Sequence, residues 1–162
     1  MEYSKLKSGT DIRGVAVEGV PGEPVTLTDE VVETIAAAFL VWCEKHLGKA
    51  AAGLKLAVGH DSRISADRIS AALQRVFARY GVQVLDCGLA STPSMFWATL
   101  DLPCDCSVQI TASHHPYHRN GLKFSSPRGA WTPRTSRRSW PWPRRAPIRN
   151  GKPPALWSPA GT

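Results

Sequence analysis

The chain has 162 residues, a length that suits one domain with its own hydrophobic core. Its formal charge of +7 comes from the C-terminal part, because residues 1–127 hold 12 Lys/Arg and 13 Asp/Glu, whereas residues 128–162 hold 8 Lys/Arg and no acid. No apolar run approaches the roughly 20 residues of a membrane-spanning helix, and the N-terminus does not have the pattern of a signal peptide, so we expect a cytoplasmic protein with no membrane partner.

Hydrophobic periodicity and end signals predict alternating strands and helices. The predicted elements, in chain order, are an extended segment at 11–17, a helix from Thr28 to Gly48, a strand at 54–58, a helix from Ser65 to Gly81, a strand at 82–86, a short helix at 92–100, and strands at 107–111 and 121–125. Thr28 and Ser65 are the predicted N-caps, and Gly48 and Gly81 are the predicted stops. Strands that alternate with helices need right-handed crossovers. We therefore predict an α/β fold over residues 1–127, a three-layer α/β/α sandwich around a mixed, mainly parallel sheet.

Two polar clusters follow predicted strands. His60 to Arg63 comes after the strand at 54–58, and Thr111 to His115 comes at the end of the strand at 107–111. Ligands of such sheets bind at the carboxyl ends of the strands, so we expect the two clusters to meet at that edge. Within the first cluster, Asp61 and Arg63 are predicted to hold the turn through an ion pair and a helix-end contact rather than to contact a substrate. We assign no role to His60 or His118.

The second cluster carries the strongest chemical signal. A serine is a poor nucleophile at neutral pH unless a neighbour accepts its proton or cations stabilise the developing charge. For Ser113, the residues His114, Lys123 and Arg13 could supply that help. A serine beside a histidine in sequence does not by itself indicate a hydrolase triad, and the chain has no Gly-x-Ser-x-Gly motif. From these residues alone, an anion-binding turn and a solvated polar loop both remain open.

Three motifs, in the right order, resemble those of the α-D-phosphohexomutases, the family of the phosphomannomutases and phosphoglucomutases. Thr-Ala-Ser-His-His-Pro at 111–116, followed by Asn-Gly-Leu-Lys at 120–123, resembles the phosphoserine loop of that family. Ser-Gly-Thr-Asp-Ile-Arg-Gly at 8–14 resembles its N-terminal motif, and Gly-His-Asp-Ser-Arg-Ile-Ser at 59–65 resembles its strand-to-helix motif. His115 replaces the commoner Asn, which leaves the sugar preference open.

This resemblance covers about residues 5–127 and implies the N-terminal domain I of a mutase. Such an enzyme is an isomerase of carbohydrate metabolism that moves phosphate between C1 and C6 of a hexose phosphate through a hexose 1,6-bisphosphate. The resemblance implies that Ser113 carries the phosphate, that Lys123 and Arg13 give electrostatic support, and that His114 handles a proton or positions a group. The oligomeric state stays open.

The resemblance also implies a cofactor. In the family, Mg²⁺ bridges the serine phosphate to three aspartates of the second domain, so Ser113 would be a metal ligand through its phosphate. The chain has no Asp-x-Asp-x-Asp sequence. We therefore expect the 162 residues to be a truncated N-terminal part that is inactive as a mutase by itself. A non-catalytic remnant without a stable fold is an alternative.

Residues 128–162 form a basic tail that does not fit the rest of the pattern. The tail has seven of the thirteen prolines and four of the six tryptophans. It could bind nucleic acid through Arg and stacked Trp, or be disordered without such a role. We favour a third hypothesis, a frameshifted translation, because Trp140-Pro141-Trp142-Pro143 must be encoded TGG-CCN-TGG-CCN, which reads as helix-forming Ala-(Leu/Met/Val)-Ala two bases along. A nucleic-acid partner is correspondingly disfavoured.

The four cysteines do not form two closely spaced pairs of the zinc-site kind. Cys104 and Cys106 could contact a metal, but two thiolates without further ligands make a poor site. We expect Cys43, Cys87 and the other two to be reduced thiols that pack as small hydrophobic groups.

Overall fold

The computed structural model describes residues 3–130. Short 3₁₀ turns lie at Tyr3–Leu6 and Ala51–Gly53. The helices are α1 (Asp29–Leu47), α2 (Ala66–Arg79) and α3 (Thr92–Asp101). The strands are β1 (Lys7–Ser8), β2 (Asp11–Val15), β3 (Lys55–His60), β4 (Gln83–Leu89), β5 (Cys106–Ile110), β6 (Arg119–Ser126) and β7 (Gly129–Ala130). Every predicted helix and strand of residues 1–127 is therefore present, and the two-residue strands β1 and β7 are additional.

Helix α1 begins and ends where the sequence predicts. Thr28 Oγ1 accepts a hydrogen bond from the Val31 N–H at 3.3 Å, and two acidic residues in the first turn suit the positive end of the helix dipole. Gly48 has a φ of 65°, a left-handed conformation that glycine adopts without strain, and its N–H donates to Glu44 O. Both predicted end signals are confirmed.

Helix α2 lies where the sequence predicts, but its start differs. Ser65 precedes the helix, yet its hydroxyl makes no capping hydrogen bond. The hydroxyl accepts instead from Asn120 Nδ2 at 2.9 Å. The predicted capping role of Ser65 is therefore wrong, because a buried amide of β6 uses the hydroxyl. Gly81 follows the helix with a φ of 71°, as its predicted role as a stop requires.

The described strands form one seven-stranded sheet in the order β1-β2-β6-β5-β3-β4, with β7 paired to β6. Strand β3 pairs in parallel with β4 and β5, and the remaining pairs between described strands are antiparallel. The predicted mixed sheet is confirmed. Its parallel part is limited to β3, β4 and β5, because these are the strands that helical crossovers connect, whereas β6 follows β5 through a loop.

Helices cover both faces of this sheet, which confirms the predicted three layers. Helices α1 and α2 pack on one face, where Leu56 and Val58 of β3 join the larger core. The intervening Ala57 points to the other face, where it packs with Met95 and Ala98 of α3 in a smaller cluster. This alternation follows from the period of two along a strand. No helix in the described part of the chain is long and apolar enough to span a membrane.

Candidate active site

The predicted serine loop follows β5 at the carboxyl edge of the parallel strands. Ser113 is exposed and has a φ of 56°, and within residues 3–130 no other residue except glycine has a positive φ. Such a conformation costs a side-chain-bearing residue about 1–3 kcal/mol. Two hydrogen bonds close the turn, from the Ser113 N–H to Thr111 Oγ1 at 2.9 Å and from the His115 N–H to Ala112 O at 3.1 Å. The turn presents the serine hydroxyl to solvent.

The turn after β3 lies beside this loop and supplies Arg63. The Asp61 N–H donates to Ile110 O at 3.0 Å, so the two carboxyl ends meet as the sequence predicts. Arg63 Nε donates to Asp61 Oδ2 at 3.3 Å, which confirms the predicted ion pair. The other guanidinium nitrogens donate to carbonyl oxygens of the serine loop, namely those of Ser113 (2.8 Å), His115 (2.7 Å), Pro116 (2.7 Å) and Arg119 (2.8 Å). Sequence analysis missed these four contacts.

An open cleft of about 540 Å³ lies between the two turns. Its lining residues are Asp61, Ser62, Arg63, Ile64, Ser113, His115 and Tyr117. The large side chains of Ile64 and Tyr117 are exposed at this cleft. The cleft therefore combines an accessible hydroxyl with polar and apolar groups, a combination that suits a polar ligand with a hydrocarbon frame.

Two stacked imidazoles follow the serine. The rings of His114 and His115 have centroids 5.0 Å apart. Ser113 Oγ lies 3.4 Å from His114 Nδ1, which is longer than a typical hydrogen bond but adjacent to the hydroxyl. Burial lowers the pKa of His115 below its ordinary value of 6.5, and the positive charges of Arg13 and other nearby basic groups lower it further. The lowered pKa favours the neutral imidazole of His115, whose unprotonated ring nitrogen can accept a hydrogen bond.

Arg13 and Lys123 lie on neighbouring strands and share one carboxylate. Asp11, which is 4% exposed, accepts from Arg13 Nη2 at 2.8 Å and from Lys123 Nζ at 2.6 Å. Burial alone would raise the pKa of Asp11, but hydrogen bonds from Lys123, Arg13 and Thr10 outweigh it and lower the pKa below its ordinary value of 3.8. Sequence analysis missed Asp11, although its spacing of two from Arg13 places both side chains on one face of β2.

The sheet register relates Arg13 to the serine loop. Arg13 of β2 is paired with Gly121 of β6, whose carbonyl accepts from the Thr111 N–H at 2.9 Å. A Cβ on Gly121 would lie 2.3 Å from Ile12 O and 2.9 Å from Thr111 O, so only glycine fits between these backbones. The Asn-Gly motif after the serine loop therefore lets β2, β6 and the end of β5 approach one another at Arg13 and Thr111. Thr111 lies two residues before Ser113.

A second set of contacts fixes the far end of the serine loop. Glu23 Oε2, in the loop between β2 and α1, contacts His118 Nε2 at 3.1 Å and Arg119 Nη2 at 2.9 Å. The His118 carbonyl accepts from the N–H groups of Ala16 and Val17. His118, which sequence analysis left without a role, thus has structural contacts on its ring and on its backbone.

The structure places the four predicted catalytic residues in two groups. Ser113 and His114 are neighbours on the exposed loop, whereas Arg13 and Lys123 project from strands and are bonded to Asp11. The positive charge of Arg13 lowers the pKa of His115, so Arg13 acts electrostatically on the loop that carries Ser113 and His114. The structure therefore brings Ser113 and His114 together on one loop and places Arg13 near that loop, whereas Lys123 contacts Asp11.

A magnesium site is not formed by the described residues alone. Residues 3–130 contain no group of three or more His, Cys, Asp or Glu side chains with the spacing of a metal site. Mg²⁺ prefers several oxygen ligands, and Ser113 would offer one only through a bound phosphate. The carboxylates of Asp61, which lines the cleft, and of Asp11 are already bonded to Arg63 and to the Arg13 and Lys123 pair.

The cysteines do not supply a metal site either. Cys43 and Cys106 are buried, and their sulfurs are 3.9 Å apart. Burial is the main cause that raises the pKa of Cys43 well above its ordinary value, and the contact with Cys106 raises it further. The expectation of buried thiols is confirmed for these two residues. Cys87 and Cys104 are half-buried, and burial raises the pKa of both.

Comparison with known proteins agrees with this geometry. The family model described as phosphoglucomutase/phosphomannomutase, alpha/beta/alpha domain I, matches residues 5–138. A phosphoglucosamine mutase of Moorella thermoacetica is 38% identical over 130 residues, which are 75% of this chain and 25% of that protein. A phosphoglucosamine mutase of Alkaliphilus metalliredigens is 35% identical over 125 residues, again 75% and 25% of the two chains.

Solved structures agree as well. A phosphoglucomutase/phosphomannomutase family protein of Burkholderia thailandensis superposes with a TM-score of 0.58 at 29% identity. The superposition covers 76% of this chain and 26% of that one. The chain therefore spans about a quarter of the length of the relatives that it matches.

Proposed function

The chain belongs to the phosphoglucomutase/phosphomannomutase family, as its α/β/α domain I, and from this membership we propose that Ser113 carries the phosphoryl group of a phosphohexomutase reaction. The observation that supports the proposal best is the conformation of Ser113. A strained, left-handed serine with an exposed hydroxyl stands at the carboxyl edge of a parallel sheet, in a cleft lined by Arg63 and His115. Strain of this kind is concentrated at functional sites.

The proposed reaction is a phosphoryl transfer in two directions. A hexose 1,6-bisphosphate gives one phosphoryl group to Ser113: the sugar oxygen to phosphorus bond breaks, the Oγ to phosphorus bond forms, and the hydroxyl proton passes to the sugar oxygen. In the reverse direction, a hydroxyl of a hexose monophosphate attacks the phosphoserine and Ser113 regains a proton. His114 Nδ1, 3.4 Å from Ser113 Oγ, is positioned to hold that proton during the transfer.

The charges around the loop support a phosphate on Ser113. A phosphoserine carries nearly two negative charges at neutral pH, and nearby cations stabilise it. Arg13 and Lys123 share the single charge of Asp11, so the three together retain one positive charge. Arg119 also lowers the pKa of His115, but Glu23 offsets its charge, so Arg119 adds no net charge here. We assign Arg13 and Lys123 to electrostatic support of the transferring group.

For the substrate we propose a hexosamine phosphate. The relatives compared above are named phosphoglucosamine mutases, and their similarity extends through the residues that form the serine loop. Glucosamine 1,6-bisphosphate is therefore the first compound to test. Mannose and glucose 1,6-bisphosphates are the comparisons, because His115 stands where the family usually has Asn.

Mass spectrometry of the full chain tests this function. After incubation with glucosamine 1,6-bisphosphate, we expect one added phosphoryl group, located by peptide mapping on Ser113. The Ser113→Ala variant should take up none. Ser62 also lines the cleft, so Ser62→Ala tells which hydroxyl is the acceptor, and we expect this variant still to be phosphorylated on Ser113. Phosphate on Ser62, or none on either residue with any of the three bisphosphates, would rule out the proposed carrier role.

A further inference from the structure

Every donor of the Arg63 guanidinium is already used inside the protein. A guanidinium has five N–H groups in a planar fork. In Arg63, Nε donates to Asp61, Nη1 donates to two loop carbonyls, and Nη2 donates to two others, at distances of 2.7 to 3.3 Å. The side chain is 12% exposed. Five donors therefore meet five protein acceptors.

This saturation determines what Arg63 can do in a cleft that receives phosphate. An arginine in such a place usually binds phosphate oxygens with two parallel N–H groups. Arg63 has no N–H group left for a ligand, and Asp61 offsets its charge. We propose that Arg63 is a positioning residue that holds the 113–119 loop, and through it the Ser113 hydroxyl, in the geometry for phosphoryl transfer. The proposal rests on the carrier role of Ser113.

The contacts show how one side chain can set the conformation of the serine. The four carbonyls that accept from Arg63 belong to Ser113, His115, Pro116 and Arg119, so they bracket the turn from its strained residue to the start of β6. Carbonyl dipoles that point at one place repel one another unless a cation lies between them. Without Arg63, the Ser113 backbone is free to leave its left-handed conformation, and the hydroxyl turns away from the cleft.

Arg63 is itself held firmly, as a residue that clamps the 113–119 loop must be. The Arg63 N–H donates to Asp61 Oδ1 at 3.1 Å, and Arg63 O accepts from the N–H of Ala66, the first residue of α2. The Asp61 N–H donates to the end of β5. The clamp therefore connects the serine loop to the frame formed by β3, β5 and α2.

Two substitutions separate the shape of the side chain from its charge. Arg63→Lys keeps one positive charge, but an ammonium is a point donor that cannot reach four carbonyls and a carboxylate in the plane of a fork. Arg63→Ala removes the group and leaves a space that a free guanidinium ion can fill. Arg79→Ala is the matched control, because Arg79 is an exposed arginine at the other end of α2.

The first measurement is the initial rate of Ser113 phosphorylation by glucosamine 1,6-bisphosphate in the full chain. We expect the initial rates of Arg63→Ala and Arg63→Lys to be lower by roughly 100-fold, because a misplacement of about 1 Å can reduce a rate by about that factor. The rate of Arg79→Ala should match that of the unmodified chain. Millimolar guanidinium should restore Arg63→Ala several-fold, whereas methylammonium at the same concentration should not. A rate for Arg63→Lys within threefold of the unmodified chain would overturn the proposal.

Amide hydrogen exchange is the second measurement, and it needs no phosphate transfer. In both variants the amides of Ser113, His115 and Arg119 should exchange at least tenfold faster, while those of α1 stay unchanged and show that the domain is folded. Unchanged exchange in the loop of the folded Arg63→Lys variant refutes the clamp. If the unmodified chain takes up no phosphate, the carrier role fails, and the exchange result alone decides whether Arg63 holds the loop.

Discussion

The carboxylate of Asp11 provides a sensitive test of how the strands beside the serine loop are held together. Asp11→Asn keeps the size of the side chain and removes its charge. Arg13 and Lys123, which each bond one oxygen of Asp11, are then left close together without an anion. We expect this single change to destabilise the domain strongly.

The magnitude follows from burial. Asp11 is 4% exposed, and the side chains of Arg13 and Lys123 are 15% and 22% exposed. Removal of one partner from a buried ion pair costs about 3–5 kcal/mol. Because both cations keep some contact with water and Asn can still accept a hydrogen bond, we expect about 3 kcal/mol, which corresponds to a melting temperature lower by about 10 °C for a domain of this size.

The assay is urea unfolding of the full chain, followed by circular dichroism, over a range of pH. The folded pKa of Asp11 lies below its ordinary value of 3.8, so its stabilising contribution is present above that value and is lost as the pH falls through the folded pKa. The difference in unfolding free energy between the unmodified chain and Asp11→Asn should therefore be constant from pH 7 to about 5 and should shrink below about 4.

Glu18→Gln is the control, because Glu18 is an exposed carboxylate and its loss removes the same charge. We expect this variant to remain within about 0.5 kcal/mol of the unmodified chain. If Asp11→Asn also stays within that range at pH 7, the argument that Asp11 neutralises two partly buried cations is refuted.

Three further expectations follow from the packing. Gly121→Ala should cost about 3 kcal/mol or more in urea unfolding, because its Cβ would overlap backbone oxygens that cannot move aside, whereas Gly53→Ala, which would meet only a flexible side chain, should be tolerated. Thr28→Ala should lower the free energy of unfolding by about 1 kcal/mol through loss of the N-cap of α1; no change would show that the 3.3 Å contact is not stabilising. Iodoacetamide should label Cys43 and Cys106 only as fast as the domain unfolds, and rapid labelling under native conditions would contradict their burial.

Local signals in the sequence were sufficient for most of the fold. The cap at Thr28 and the stop at Gly48 identified α1, because both act on backbone groups within a few residues. The role of Ser65 could not be predicted in this way. Its hydroxyl is bonded to Asn120, 55 residues along the chain, and this partner becomes visible only when β6 is placed beside α2.

The candidate active site shows the same difference between contacts within a few residues and contacts between distant parts of the chain. The spacing of Asp61 and Arg63 was enough to predict their ion pair, but the loop carbonyls that Arg63 bonds lie at least 50 residues away. Basic residues at 13 and 123 suggested free cations for a phosphate. The shared Asp11 depends on the register between β2 and β6, which hydrophobic periodicity does not determine.

The hypothesis of a frameshifted tail concerns residues 128–162. Of these, residues 131–162 lie outside the described part of the chain. Strand β7, at Gly129–Ala130, still pairs with β6, and the family model matches as far as residue 138. We propose that the reading frame changes within residues 128–162, after the domain of residues 1–127. Sequencing of the gene from the codon of Arg128 onward tests this, because the hypothesis requires an alternative frame downstream that encodes an Asp-rich metal loop.

Whether Ser113 accepts a phosphoryl group is tested most directly by following that group from the sugar to the serine. The full chain is incubated with glucosamine 1,6-bisphosphate, and the phosphoserine peptide and the glucosamine monophosphate are quantified together by mass spectrometry. We expect phosphoserine at Ser113 to appear as an equal amount of glucosamine monophosphate forms. A chain that takes up no phosphate on Ser113 from the glucosamine, glucose and mannose 1,6-bisphosphates would contradict the carrier role.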